Sequence, residues 1–472
     1  MRWLFLWVVV ILFTSGCASN KPSEEAIDKL LIPPTWTSQQ LSESDINWWN
    51  EFQSSSLDSL LSEAFRNNYD LQIAAANLKA AAAQATIQGA DLFPHISAGG
   101  SATRRKQNFI GFPIPGAPDG SVATNLTNTF GVNLSASWEI DLWGRLWKQR
   151  SAGTASFQAA EADYRGAQLS LMAQVCKSWF ATVEAKRQVG LALASKEAFN
   201  NSYLRTKQRY EAGLISSLDL RRSMSNLALA EATLNQRRAQ YDIMVRQLET
   251  LLGRYPAAIL KTAASLPRLE HSVPSGLPAD LVTRRPDLQA AEQRLLAAKA
   301  TTSSAKRALL PRISLTGSTG TSTDELKNLL KGDFSVWSLA GNILQPIFQG
   351  GRLRANVKLA GSREAAQQAT YLRAALTAFA EVESALANEG FLREREAALL
   401  EATEQAIAAS ELAETQYSRG VIDYLSLLDT QRSAYDTESR LISVRRERLN
   451  ARIDLHVALG GGFENEFKTQ NQ

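Results

Sequence analysis

The sequence of 472 residues predicts an α+β membrane protein built from a tandem-duplicated unit, with four strands per chain joined to long helices. Three observations predict it. The first is a repeat. Asp70-Leu71-Gln72 returns as Asp287-Leu288-Gln289, and Phe93-Pro94-His95-Ile96-Ser97 as Leu310-Pro311-Arg312-Ile313-Ser314, both 217 residues later. Gly144-Arg145-Leu146 returns as Gly351-Arg352-Leu353, Tyr210-x-x-Gly213 as Tyr417-x-x-Gly420, and Gly253 as Gly460, all 207 residues later. Matches in one order with one shift mark a duplication, and the shift puts the length difference between the Pro and Gly-Arg markers. The second is a period-2 run in which Phe130, Val132, Leu134, Ala136, Trp138, Ile140 and Leu142 oppose Asn133, Ser135, Ser137, Glu139 and Asp141. The third is the absence of proline from Lys148 to Tyr210, a stretch of about 90 Å as helix and longer than a compact domain uses.

In chain order, Arg2 and the apolar run Trp3 to Phe13 form a segment of about 11 residues, too short for a membrane span of about 20. The following Thr14-Ser15-Gly16-Cys17 resembles the lipobox of bacterial lipoproteins, with Thr14 where leucine is usual. That resemblance implies a signal peptide over 1–16 and Cys17 carrying an N-terminal acyl chain and diacylglycerol. Ala18 rather than aspartate after the cysteine directs sorting to the outer membrane. Residues 17–65, with Pro33-Pro34 and Trp48-Trp49, read as a lipid-anchored N-terminal segment wrapping the outside of the equatorial region.

The first repeat covers 66–252. It holds a helix over Leu71 to Leu92 stopped by Pro94, strands within about 94–143, and long helices over 146–252. Residues 253–285, rich in proline, connect the units. The second repeat covers 286–460, with a helix to Leu310, strands within about 311–349 and helices over 353–459. Its last strand alternates poorly and meets Pro346. Residues 461–472 are a tail.

Composition excludes other classes. Hydrophobic residues at 44% and charged residues at 21% fit neither a disordered chain nor a bundle of membrane helices. A net charge of +4, with basic and acidic residues interleaved, predicts no nucleic-acid partner. His95, His271 and His456 lie far apart, only two cysteines exist, and neither set has metal-ligand spacing. No catalytic cluster, phosphate-cradling glycine loop or nucleophile elbow is present, so the chain reads as a non-enzyme. Cys176, in an apolar helical run, reads as a packed thiol.

The alternating run has an apolar face and a small-polar face, as in barrels with lipid outside and water inside. On its own it also fits the edge of a soluble sandwich. A bilayer tolerates only closed sheets, and four strands cannot close, since such barrels start at about eight. Either the strands lie outside a membrane, or several copies contribute to one wall. The long helices, whose apolar faces need neighbours to cover them, make the same demand for oligomerisation.

The element order, the repeat, Gly144-Arg145-Leu146, Gly351-Arg352-Leu353 and Tyr210-Glu-Ala-Gly213-Leu-Ile-Ser216-Ser-Leu-Asp219-Leu resemble the TolC-like outer membrane factors, the lipidated OprM and NodT type fitting best. The resemblance covers essentially the whole mature chain. It implies a homotrimer whose twelve strands form one outer-membrane β-barrel continuous with a periplasmic α-helical barrel. It also implies contact with outer-membrane lipid, a periplasmic adaptor (membrane fusion) protein, an inner-membrane pump, and no resident cofactor. The function implied is the channel of a tripartite efflux or type I secretion-like system, opened by iris-like movement of helix tips. The alternative is a periplasmic coiled-coil adaptor or scaffold lipoprotein, which leaves the Phe130 to Leu142 face unexplained.

Within this resemblance Asp429 matches the constriction carboxylate, with Ser426 where a second carboxylate often stands, and Leu425 adds an apolar ring. Asp219 and Tyr417 match a hydrogen-bonded pair that ties neighbouring coils; Ile422 replaces an arginine of that network. Asp219 also reads as a helix cap after Ser216-Ser217. Gly213, Leu214, Ser216, Gly420 and Val421 match the tip turns that dock the adaptor.

Overall fold

The computed structural model describes residues 48–109, 122–269 and 284–461. The signal segment 1–16, the lipid on Cys17, most of the 17–65 segment, part of the connection and nearly all of the tail lie outside the described residues.

A 3-10 turn, Trp48–Phe52, opens the described chain, and helix α1 spans Ser55–Asn67. Ser54 caps α1 by accepting the Leu57 N–H, and Leu57, Leu60, Leu61 and Ala64 recur at helical spacing on its buried face. With Trp48 and Phe52 they join a core that includes Val175, Phe180, Leu248 and Ile453. From Trp48 onward, then, the N-terminal segment does not merely wrap the outside. Its apolar side chains are interior, because removing them from water stabilises the fold by about 2 kcal/mol each.

Helix α2 follows at Tyr69–Ala90, started by Asn68, whose Oδ1 accepts the Leu71 N–H at 2.9 Å while its Nδ2 donates to the Leu251 carbonyl at 2.9 Å. Strands β1 (His95–Phe109) and β2 (Ala123–Ile140) lead to α3 (Arg145–Glu211) and α4 (Ser217–Leu251). The second copy gives α5 (Pro286–Arg307), β3 (Arg312–Thr323), β4 (Ser335–Leu344), α6 (Arg352–Ser418) and α7 (Tyr424–Ala458). Corresponding helices have equal lengths: 22 residues for α2 and α5, 67 for α3 and α6, 35 for α4 and α7. The strands differ, at 15 and 18 residues against 12 and 10. That is where the shifted repeat offset places the difference. Poor alternation in β4 did not prevent a strand, since every residue of β4 is exposed and no single face is selected by burial.

The sequence repeats are not the packed bodies. One compact unit gathers 1–78, 160–292 and 370–472; the other gathers 79–159 and 293–369. Each draws on both copies: strands of the two copies pair in the second unit, and helices of the two copies share a core in the first.

In the first unit the connection is organised by Glu249, only 1% exposed, whose carboxylate accepts the N–H groups of Ala258, Ile259 and Leu260 at 2.7, 2.8 and 3.0 Å. An ionic ladder joins α6 to α7. Arg445 and Arg448 bind Glu396, Arg448 and Arg452 bind Glu389, and Arg452, 1% exposed, also binds Glu51 of the opening turn at 2.7 Å. His456 stacks on Trp48 with ring centres 5.1 Å apart. Cys176 is fully buried in this unit, and burial pushes its thiol well above the ordinary range.

The second unit holds one antiparallel sheet in the order β1-β2-β3-β4. Among the described residues no helix is long and apolar enough to cross a membrane.

Candidate functional site

Two places carry the residues singled out by sequence: the ends of the long helices in the first unit and the sheet in the second.

Helices α3 and α6 end alike. Gly213 has φ +70° and Gly420 φ +76°, values that favour a residue without Cβ. The Gly213 N–H donates to the Tyr210 carbonyl at 2.9 Å and the Leu214 N–H to the Arg209 carbonyl at 2.9 Å. The Gly420 and Val421 N–H groups donate to Tyr417 and Gln416 at 3.0 and 2.9 Å. Both pairs are the crossed hydrogen bonds of a glycine-closed helix. Just beyond, Leu214 and Val421 stand 69% and 68% exposed, equivalent apolar side chains on two equivalent turns.

The next helices begin with side-chain caps. Ser216 Oγ accepts the Asp219 N–H at 3.4 Å and donates to Asp219 Oδ2 at 3.1 Å. In the other copy Asp423 accepts the Ser426 N–H at 2.8 Å, which holds its carboxyl below the usual range. Leu425 and Asp429 are exposed one turn apart on α7.

The Asp219–Tyr417 bond implied by the resemblance is not made within the chain. The cap of α4 is Ser216 rather than Asp219, and Asp219, three residues on, is held by it through both its N–H and its carboxylate. The Tyr417 hydroxyl, 2% exposed, lies 3.1 Å from Thr206 Oγ1, which itself donates to the Ser202 carbonyl at 2.7 Å. The tyrosine is therefore the donor between the two hydroxyls. An arginine is present despite Ile422: Arg209 Nη1 donates to the Tyr417 carbonyl at 2.8 Å, with its guanidinium 5.1 Å from the Tyr417 ring centre. Beside it, Asn226 donates to the Tyr424 hydroxyl at 3.2 Å and accepts from Arg432 at 2.7 Å. Burial pushes the Tyr424 hydroxyl up, so it stays protonated. Thr206, Arg209, Asn226 and Arg432 were not legible as partners. A basic residue in the last turn of α3 is an ordinary helix-end signal, and sequence does not say which neighbouring turn it meets.

The sheet register sorts the strand residues. Ile96 pairs with Ala136, Ala136 with Gly317 and Gly317 with Leu339; Trp138 pairs with Leu315, and Thr319 with Trp337. One face thus carries most of the apolar residues of the four strands, while Phe109, Val336 and Leu344 fall on the other. The other carries Ser97, Ser135, Ser318 and Ser338, which face one another in a single row across the sheet. Their hydroxyls meet at 2.7 Å between Ser97 and Ser135 and at 2.8 Å between Ser318 and Ser338. Strands β1 and β4 are exposed throughout, apolar residues included. At the sheet end next to the helices, Trp138 and Trp143 donate to the Leu92 and Pro311 carbonyls at 2.9 and 2.8 Å.

A family model described as outer membrane efflux protein matches residues 60–254 and 277–461. The chain belongs to the outer membrane efflux protein family. It is 33% identical over 480 residues to SepC, a probable efflux pump outer membrane protein of Pseudomonas putida, with 98% of each chain covered. OprJ, an outer membrane protein of Pseudomonas aeruginosa, is 32% identical over 464 residues, 97% of this chain and 95% of that one. Among solved structures, the open state of the Neisseria gonorrhoeae MtrE outer membrane channel gives a TM-score of 0.80 at 30% identity, covering 92% of this chain and 96% of that one. The efflux protein is thus a transport component of the outer membrane and not an enzyme.

Proposed function

We propose that the efflux protein is the trimeric channel of a tripartite efflux or type I secretion-like system. It passes substrate from a periplasmic adaptor and inner-membrane pump to the exterior. The observation that carries this reading is the open sheet, whose order leaves β1 and β4 as edges. Each raw edge group in lipid costs several kcal/mol. Three copies, joined β1 to β4, give twelve strands and no edge, with the apolar face toward lipid and the serine row toward water. From Ile140 to Phe130 the apolar face of β2 rises about 34 Å along the strand, or about 26 Å at a tilt of about 40°, matching the apolar band of such barrels at about 25 Å.

In this trimer Leu425 and Asp429 form an apolar and an acidic ring at the periplasmic aperture. Three like charges near one axis repel and hold cations while the ring is narrow. The Arg209 and Thr206 contacts to Tyr417 keep the helix ends together, and splaying them widens the ring. Leu214 and Val421, carried on the Gly213 and Gly420 turns beside Ser216, give the adaptor an apolar foothold. Lipidation at Cys17 anchors the chain to the outer membrane. The adaptor or scaffold alternative has no use for the two-faced sheet.

Reconstitution into planar bilayers tests the reading. Wild-type protein gives small resting conductance, and Asp429→Ala raises it severalfold. Equal conductance in the two proteins overturns the gate, and no conductance in either overturns the channel.

A further inference from the structure

We infer that Arg104 and Lys106 form a phosphate-binding collar for the phosphorylated lipids of the outer surface, a proposal that rests on the barrel reading above. Beyond the last β2–β3 pair, Phe130 with Thr323, the β1–β2 hairpin continues for seven further pairs, from Thr103 with Thr129 to Phe109 with Ala123. On the outward face, Ile96, Ala98, Gly100 and Ala102 are followed by Arg104 and Lys106, opposite Asn128 and Leu126. Arg105 falls on the other face, opposite Thr127. All three cations are exposed, and neither Thr103–Phe109 nor Ala123–Thr129 contains an acidic residue.

Position decides what these cations meet. Helices α2, α3, α5 and α6 all join the sheet at its His95, Ile140, Arg312 and Leu344 end, so the hairpin points to the opposite side of the bilayer. At about 3.4 Å per residue and a tilt of about 40°, Arg104 stands about 5 Å and Lys106 about 10 Å past Ala102, the end of the apolar series. That is headgroup depth. A cation at the middle of the lipid face destabilises a barrel by about 2–4 kcal/mol, but near the interface by about 0–1. There the long stems lie along apolar surface while the heads reach the phosphates. Guanidinium matches phosphate oxygens in pairs, and ammonium adds a point charge. Because Arg104 and Lys106 face outward, their partner is a membrane lipid rather than the transported substrate.

The test uses full-length protein purified in detergent, with a bis-phosphorylated glucosamine lipid and its dephosphorylated counterpart as probes. Native mass spectrometry counts the bound lipid. Wild type retains the phosphorylated form, the R104Q/K106Q double variant retains about tenfold less, and Arg105→Gln matches wild type. Equal retention by the double variant, equal loss in Arg105→Gln, or equal binding of the dephosphorylated lipid overturns the collar. Channel conductance is recorded for each protein. Normal conductance with indifferent lipid binding sinks the collar alone, whereas a wild type without conductance or oligomer sinks the barrel reading and the collar together.

Discussion

Tyr210 and Tyr417 occupy the same place in the two copies of the unit, yet one is 41% exposed and the other 2%. The repeat predicts equivalent helix ends and the structure has them. What it does not predict is the environment, because Thr206 of the first copy has Ala413 as its counterpart and only Tyr417 gains a hydroxyl partner. The glycines were legible, since a closing turn demands a backbone conformation that few residues accept. The Tyr417 partners were not, since they depend on which helix turns become neighbours. Arg209→Ala removes a carbonyl hydrogen bond and a ring contact, together about 2 kcal/mol. It is expected to raise resting leak, read as dye release from proteoliposomes, while Tyr210→Ala leaves leak unchanged. Cys176 gives a pH prediction. Its folded thiol is held protonated above the ordinary range, so the unfolded chain releases its proton first as pH rises. Stability is complete below the ordinary thiol range and falls through alkaline pH. In Cys176→Ala, denaturation midpoints across that window should fall less steeply than in wild type.

Helices and strands were readable where one physical signal dominated. Proline-free stretches gave α3 and α6, and strict alternation gave β2. Helix α1 carried its own signal, a Ser54 cap and leucines at helical spacing, but is short and lies almost wholly within the segment read as peripheral. The Glu249 clamp was invisible to periodicity, because a carboxylate near a helix end also reads as a solvated residue. Glu249→Ala leaves three N–H groups without their acceptor, and a loss of about 3 kcal/mol is expected; chemical denaturation measures it. In the sheet, a Cβ at Gly320 would strike the Val132 carbonyl of the neighbouring strand, whereas one at Gly341 meets nothing. Gly320→Leu is expected to abolish the heat-sensitive oligomer on gels, and Gly341→Ala to preserve it.

At the scale of the whole molecule, the chain buries helical cores of its own but leaves apolar helix residues such as Leu229, Leu376 and Phe391 exposed and its sheet open. Equal helix lengths in the two copies and unequal strands show where the duplicated halves have diverged. The serine row, continuous across four strands, is a property of the pairing and appears in no single stretch of sequence. The edge strands β1 and β4 are exposed throughout, and the family assignment places the chain in the outer membrane, where an open sheet edge is not tolerated. The most direct measurement is an electron-microscopy map of the purified, detergent-solubilised assembly. Three copies around one continuous twelve-stranded wall enclosing water are expected; a stable monomer, or a sheet with a free edge and no water path, would contradict the account.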